Sequence, residues 1–170
     1  MIVVDSNVLA ARNLAGVLTG IAEQVEEQDP IWIVPRLWRY EFQNILTKSI
    51  WVRQITLEDA MVAWRKASGQ MFENEHEPSP EKVIDLSARH RITAYDANFI
   101  ALAMEMGVMC VTEDGALQKK FPAIAVSMDV FIKQAITYGE VRESRAPYGV
   151  RKRKRPCHAH EDQATSVRSA

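Results

Sequence analysis

Four carboxylates stand where chemistry can be done: Asp5 directly after the apolar run Ile2-Val3-Val4, Glu41 at the flank of a helical apolar stripe, Asp96 in Thr93-Ala94-Tyr95-Asp96-Ala97, and Asp114 in Val111-Thr112-Glu113-Asp114-Gly115. Acids gathered in one pocket repel one another, so the pocket either keeps some of them protonated or holds a cation. Hard oxygen donors without His or Cys favour Mg²⁺ or Mn²⁺ over zinc. Such an ion bridges to phosphate, and phosphodiester hydrolysis is the chemistry most compatible with the set. Each acid also has a plainer reading. An Asp after a strand commonly makes a turn or caps a helix, and a lone helical Glu is commonly solvated or paired, here with Arg36 or Arg39.

Whether the acids meet depends on the elements that carry them. Phe99, Ile100, Leu102, Ala103 and Met106 recur at helical spacing, and Val108-Met109-Cys110-Val111 is a short apolar run bounded by Gly107 and Gly115. The stretch predicts helix, turn and buried strand. Ile2-Val3-Val4, Ile31-Trp32-Ile33-Val34 and Ile124-Ala125-Val126 predict further short strands, with Asp5-Ser6-Asn7 a polar turn after the first. Helices are predicted over 14–28, ended by Asp29-Pro30, over 35–50 beginning at Pro35, and over 57–71 with Thr56 as N-cap. Residues 72–79 read as an acidic loop, 80–90 as a helix with Ser79 as N-cap and Pro80 at its first position, 116–121 as a short helix and 129–137 as a last one. This alternation predicts an α/β sandwich around a mostly parallel sheet. Strand ends and helix starts on one side of such a sheet form its ligand crevice, where Asp5, Asp96 and Asp114 can converge with Glu41 reaching in.

Composition bounds the rest. A chain of 170 residues, 47% hydrophobic and 25% charged, has material for one globular domain with a sizeable core. Its net charge of -1 hides an asymmetry: residues 1–140 hold 13 Lys+Arg against 19 Asp+Glu, and residues 141–170 hold 8 against 3. Apolar periodicity stops near Gly139, and Arg151-Lys152-Arg153-Lys154-Arg155 is a run of like charges, so a domain over 1–138 and a basic, disordered tail over 139–170 are expected. Cys110 and Cys157 suggest neither a disulfide framework nor a cysteine metal site. No leader pattern and no run of about 18 apolar residues occurs, so the expectation is a cytoplasmic protein without membrane association.

Val3-Val4-Asp5-Ser6-Asn7-Val8-Leu9, Pro35 with Glu41 and Asn44-Ile45-Leu46, Ala94-Tyr95-Asp96-Ala97 with Ile100-Ala101-Leu102-Ala103, and Val111-Thr112 with Asp114 resemble, in order, the motifs of PIN-domain nucleases. The resemblance covers roughly residues 1–135 and is closest to the small prokaryotic toxins of VapBC-type toxin-antitoxin pairs. It implies a three-layer α/β/α sandwich with a short-stranded sheet. It implies a metal-dependent ribonuclease, with Asp5, Glu41, Asp96 and Asp114 as the acidic quartet on Mg²⁺ or Mn²⁺ and with Asn7 and Thr112 supporting it through hydrogen bonds. It also implies single-stranded RNA as substrate, a homodimer and a protein antitoxin. Two positions depart from the usual pattern: Ser6 where Thr is commoner, and Asn98 where an aromatic residue often stands. Arg12, Arg36, Arg39, Lys119 and Lys120 lie near the motifs and are candidate phosphate contacts.

Other classes fit less well. An aspartyl phosphatase wants a second Asp where Asn7 stands, and a phospho-acceptor receiver wants a paired lysine that the sequence does not place. A non-catalytic PIN scaffold need not keep all four acids, and a PIN nuclease in RNA processing outside a toxin-antitoxin pair is separated from a toxin by the neighbouring gene.

Overall fold

The computed structural model describes residues 1–134. Strand β1 (Ile2–Val4) runs straight into helix α1 (Ser6–Asn13), and α2 (Thr19–Gln28) returns the chain to β2 (Trp32–Pro35). Helices α3 (Trp38–Trp51) and α4 (Leu57–Met71) lead to a short β3 (Glu75–His76). Then come α5 (Pro80–His90), α6 (Ala94–Met106), β4 (Cys110–Val111), α7 (Gly115–Lys120) and β5 (Ala125–Val126), followed by a helical segment at 128–134. The remainder of the predicted last helix, the basic tail and Cys157 lie outside the described residues.

All pairings in the five-stranded sheet are parallel and its order is β3-β2-β1-β4-β5. The chain steps outward from β1 to β2 to β3, then crosses over through α5 and α6 to lay β4 on the other side of β1. The crevice beyond the carboxyl ends of β1 and β4 is therefore the switch point of the sheet, the place where parallel α/β folds bind ligands.

Side chains alternate across the sheet and define its two faces. Ile2, Val4, Trp32, Val34, Val111 and Val126 join a core with α1, α2, α3 and α4. Val3, Ile33, Cys110 and Ala125 point the other way, into a core with α5, α6 and α7. This is the α/β/α sandwich, with strands buried on both faces as a parallel sheet requires. Trp38 and Phe42 are fully buried in the first core, and both stack near Trp64 of α4, at 5.6 and 6.3 Å between ring centroids.

The local signals hold where capping decides. Thr56 and Asp59 form a reciprocal capping box at α4, and Ser79 with Pro80 opens α5, so both helices span the predicted residues. Gly107, at φ 65°, takes the left-handed conformation that ends α6 and turns the chain toward β4.

Four expectations need correction. Residues 5–7 enter a helix directly, because Val8, Leu9 and Ala10 of α1 are buried in succession and present no polar stripe that spacing could reveal. The predicted helix over 14–28 begins only at Thr19, and Pro35 closes β2 rather than opening α3. The acidic loop contains β3, an edge strand of two polar residues fixed from outside: Trp38 Nε1 and Arg39 Nε donate to Glu75 Oε1 at 2.8 and 2.6 Å. Burial pushes the Glu75 carboxyl up, but the Arg39 and Trp38 hydrogen bonds outweigh it and hold it below the usual range. Among the described residues no helix is long and apolar enough to cross a membrane.

Because Phe42 is fully buried between Trp38 and Trp64, Phe42→Ala is expected to lower unfolding free energy by about 3–5 kcal/mol in urea titrations. A loss below about 1 kcal/mol would show that this face of the sheet is not a packed core.

Candidate active site

At the switch point the decisive group is a hydroxyl. Thr112 follows β4 and is fully buried, and its Oγ1 donates to Asp5 Oδ2 at 2.5 Å. The same oxygen accepts the Asp114 backbone N–H at 3.0 Å and the Asn7 side-chain amide at 3.3 Å. One donor and two acceptor positions are all a threonine hydroxyl has, and all are used. Asn7 is engaged as fully: Nδ2 also donates to Asp5 Oδ2 at 2.7 Å, and Oδ1 accepts the Glu113 N–H at 3.2 Å. The ends of β1 and β4 are thereby locked by side chains as well as by the Asp5 N–H to Val111 carbonyl bond at 3.0 Å.

Asp5 occupies the N-cap position of α1, yet its side chain makes no cap hydrogen bond; its Oδ2 is turned to Thr112 and Asn7. The residue is 9% exposed. Burial raises its pKa above the ordinary Asp value, the Thr112 hydrogen bond works against that rise, and the charge of Asp96 adds to it. Glu41 lies in the first turn of α3, half-buried, and Ser6 Oγ donates to its Oε2 at 2.7 Å. Its pKa is raised as well, chiefly by burial, against the Ser6 bond and with the charges of Asp5 and Asp96 behind it. Asp96 sits in the first turn of α6, where Thr93 caps the helix and its hydroxyl donates to Asp96 Oδ2 at 2.8 Å.

Asp5, Glu41 and Asp96 thus share one electrostatic field, contributed by β1, α3 and α6. Asp114 comes to the same rim through its N–H bond to Thr112, but its Oδ1 caps α7, accepting the Ala116 and Leu117 N–H groups at 2.7 and 3.2 Å. Among the described residues none of the four acids has an ion pair with Lys or Arg. The plain reading of Glu41 as a partner of Arg39 does not hold, since Arg39 is paired with Glu75.

The donor set suits a hard cation. Among the described residues no three His, Cys, Asp or Glu side chains form a ready-made metal cluster, so the fit rests on donor type: carboxylate oxygens are hard ligands.

A description of the PIN domain matches residues 2–122. The chain belongs to the PIN-domain family. PIN domains are generally nucleases, and PIN nucleases generally use divalent metals. The fold is also similar to the crystal structure of PAE2754 from Pyrobaculum aerophilum, with a TM-score of 0.63 over 80% of this chain and 96% of that one, at 19% identity. No curated protein gives a significant match.

Of the candidate phosphate contacts in this PIN domain, Arg12 is paired with Glu26 at 2.5 Å, Arg39 with Glu75, and Lys120 donates to the His90 and Arg91 carbonyls at 2.9 Å. Arg36 lies in the field of Glu75, and Lys119 makes no ion pair among the described residues. Asn98, the departure from the usual pattern, turns its amide back to the Ala94 carbonyl at 2.6 Å. Sequence reasoning overlooked the holding roles of Ser6 and Thr93. The Thr93–Asp96 spacing of a capping motif signals the second, whereas the Ser6–Glu41 bond joins residues 35 apart and no local pattern announces it.

The raised Asp5 pKa has a defined sign. The folded state binds the proton more tightly than the unfolded one, so this group costs stability progressively as pH rises from the ordinary Asp value to the raised one, and the cost persists above it. In chelator, urea unfolding of the wild type and Asp5→Asn from about pH 3.5 to 8 should show stability falling with pH more steeply in the wild type. Parallel profiles would show that Asp5 is not held in a costly ionised state.

Proposed function

We propose that this PIN domain is a divalent-metal-dependent endoribonuclease and the toxin of a type II toxin-antitoxin pair, with Asp5, Glu41, Asp96 and Asp114 as its catalytic acids. The observation that carries the reading is the buried Asp5 carboxylate at the switch point, facing the charges of Glu41 and Asp96 with no protein cation among the described residues to offset them.

Asp5, Asp96 and Glu41 would hold Mg²⁺ or Mn²⁺, with Asp114 at the edge of the set. Such an ion, when bound, supplies Lewis acidity toward a phosphate oxygen, an attacking water and the leaving oxygen. The chain's own contribution is placement. Thr112 and Asn7 fix one oxygen of Asp5 and leave the carboxylate a single orientation. Ser6 holds Glu41, and Thr93 holds Asp96, so each acid is locked by a hydroxyl before substrate arrives. Preorganised acids avoid rearrangement during reaction, which is where sites of this kind gain rate.

The partners follow from the resemblance and are proposed with it: RNA as substrate, a homodimer, a protein antitoxin and a cytoplasmic setting. A groove between α3 and α4 is lined by Leu46, Ile50, Leu57, Met61 and Trp64. We assign 1–138 to the nuclease unit and the basic run 151–155 to sequence-independent phosphate contacts, in keeping with their charge. A reading frame for a small DNA-binding protein beside this one would separate the toxin from a PIN nuclease of RNA processing.

Purified protein should cleave RNA with Mg²⁺ or Mn²⁺ and not in EDTA, and Asp96→Asn should lower cleavage by about two orders of magnitude or more with the fold retained. Undiminished cleavage in EDTA would remove the metal, and an active Asp96→Asn protein would remove Asp96 from the site.

A further inference from the structure

Two aromatic rings lie beside the acids and are used by neither the core nor the acid network. Tyr40 is 76% exposed and Tyr95 66% exposed. Each directly precedes an acid of the site, Tyr40 before Glu41 on α3 and Tyr95 before Asp96 on α6, and both line one groove together with Glu41 and Asn44. Among the described residues neither ring stacks on another aromatic ring and neither hydroxyl is hydrogen-bonded. A single exposed tyrosine is ordinary. Two from different helices that line one groove with Glu41 are a less common arrangement, and both rings are open to solvent.

We propose that Tyr40 and Tyr95 clamp unstacked nucleobases next to the scissile phosphate and so select single-stranded RNA, with the exposed Asn44 amide available to a base edge. The proposal rests on the ribonuclease reading above and assigns two residues of this chain to the grip on its substrate. In a duplex the faces of each base are covered by its neighbours, so only single strands and loops can offer bases to aromatic rings. Charge gives a second, independent reason. The body is acidic, Tyr40, Glu41, Asn44 and Tyr95 line the groove without a Lys or Arg, and of the five candidate phosphate contacts Arg12, Arg39 and Lys120 are tied to carboxylates or carbonyls, which leaves Arg36 and Lys119. Stacking, which needs no cation, is then the main grip that the groove offers.

The test is fluorescence anisotropy of the full chain in EDTA, which reads binding apart from turnover, with a labelled single-stranded oligoribonucleotide and the same sequence in duplex. Tyr40→Ala and Tyr95→Ala should each weaken single-strand binding by about 5- to 100-fold, with Phe at either position within about two-fold of wild type and the salt dependence unchanged. Both positions are exposed, so thermal melts should coincide with wild type, and Tyr40→Leu provides a bulkier variant that also lacks the ring. Ala variants that bind like wild type, Phe variants that lose as much as Ala, or duplex bound as tightly as single strand would overturn the clamp. A changed sedimentation coefficient with unchanged RNA affinity would also overturn it and assign the rings to a protein interface. Failure of the two readings is distinguishable. RNA cleavage without any Tyr effect sinks the clamp alone, whereas ring-dependent RNA binding without cleavage under Mg²⁺ or Mn²⁺ sinks the nuclease alone.

Discussion

The hydrogen bond from the Thr112 hydroxyl to Asp5 is the contact on which the rest of the site depends. It joins the ends of two parallel strands that are neighbours in space and more than 100 residues apart in sequence. A carboxylate this deeply buried is costly unless donors meet it. The donors come from Thr112 and Asn7, and the same hydroxyl takes the N–H that begins the turn into α7. Topology and chemistry are tied at that point: β4 must cross to the far side of β1 for Thr112 to arrive, and that crossing creates the crevice in which the acids meet.

Around this fixed carboxylate the fold divides labour along single helices. On α3, Phe42 is buried with Trp38 against α4, Glu41 is half-buried at the site, and Tyr40 faces solvent at the groove. On α6, Ala97, Phe99 and Ile100 are buried against the sheet, whereas Asp96 and Tyr95 stand at the helix start. Helix starts suit acids because the local backbone dipoles favour negative charge, and Thr93 and Ser6 hold Asp96 and Glu41 in place. The remaining imbalance is one-sided. Burial and mutual repulsion raise Asp5 and Glu41 together, and the cations nearest in sequence are bound to Glu26 and Glu75 instead. The site is therefore built with a surplus of negative charge that suits an external cation.

Much of this was legible in the sequence because its signals are local. Thr56, Ser79 and Pro80 fix their helices from one end, and the apolar runs at 2–4 and 31–34 mark buried strands whatever lies around them. The PIN motifs supplied the order of the acids, which spacing alone left as scattered carboxylates. Features held by distant partners were not legible. Strand β3 is two polar residues whose position comes from pairing with β2 and from Trp38 and Arg39. Helix α1 hides because its buried residues are consecutive, and the Ser6 to Glu41 bond connects elements that only the tertiary fold brings together. Asp114 stands apart from the other acids, since one of its oxygens is occupied by capping α7. Those are effects of packing and topology, to which periodicity and capping rules are blind.

The central claim is that the acids at the switch point hold a divalent cation for phosphodiester chemistry. The most direct measurement is anomalous diffraction from crystals of the full chain soaked in Mn²⁺. The account predicts an anomalous peak bounded by the carboxylates of Asp5 and Asp96 that is lost in Asp5→Asn crystals. A fully soaked crystal with no peak there, or an equal peak in the Asp5→Asn crystal, would contradict it.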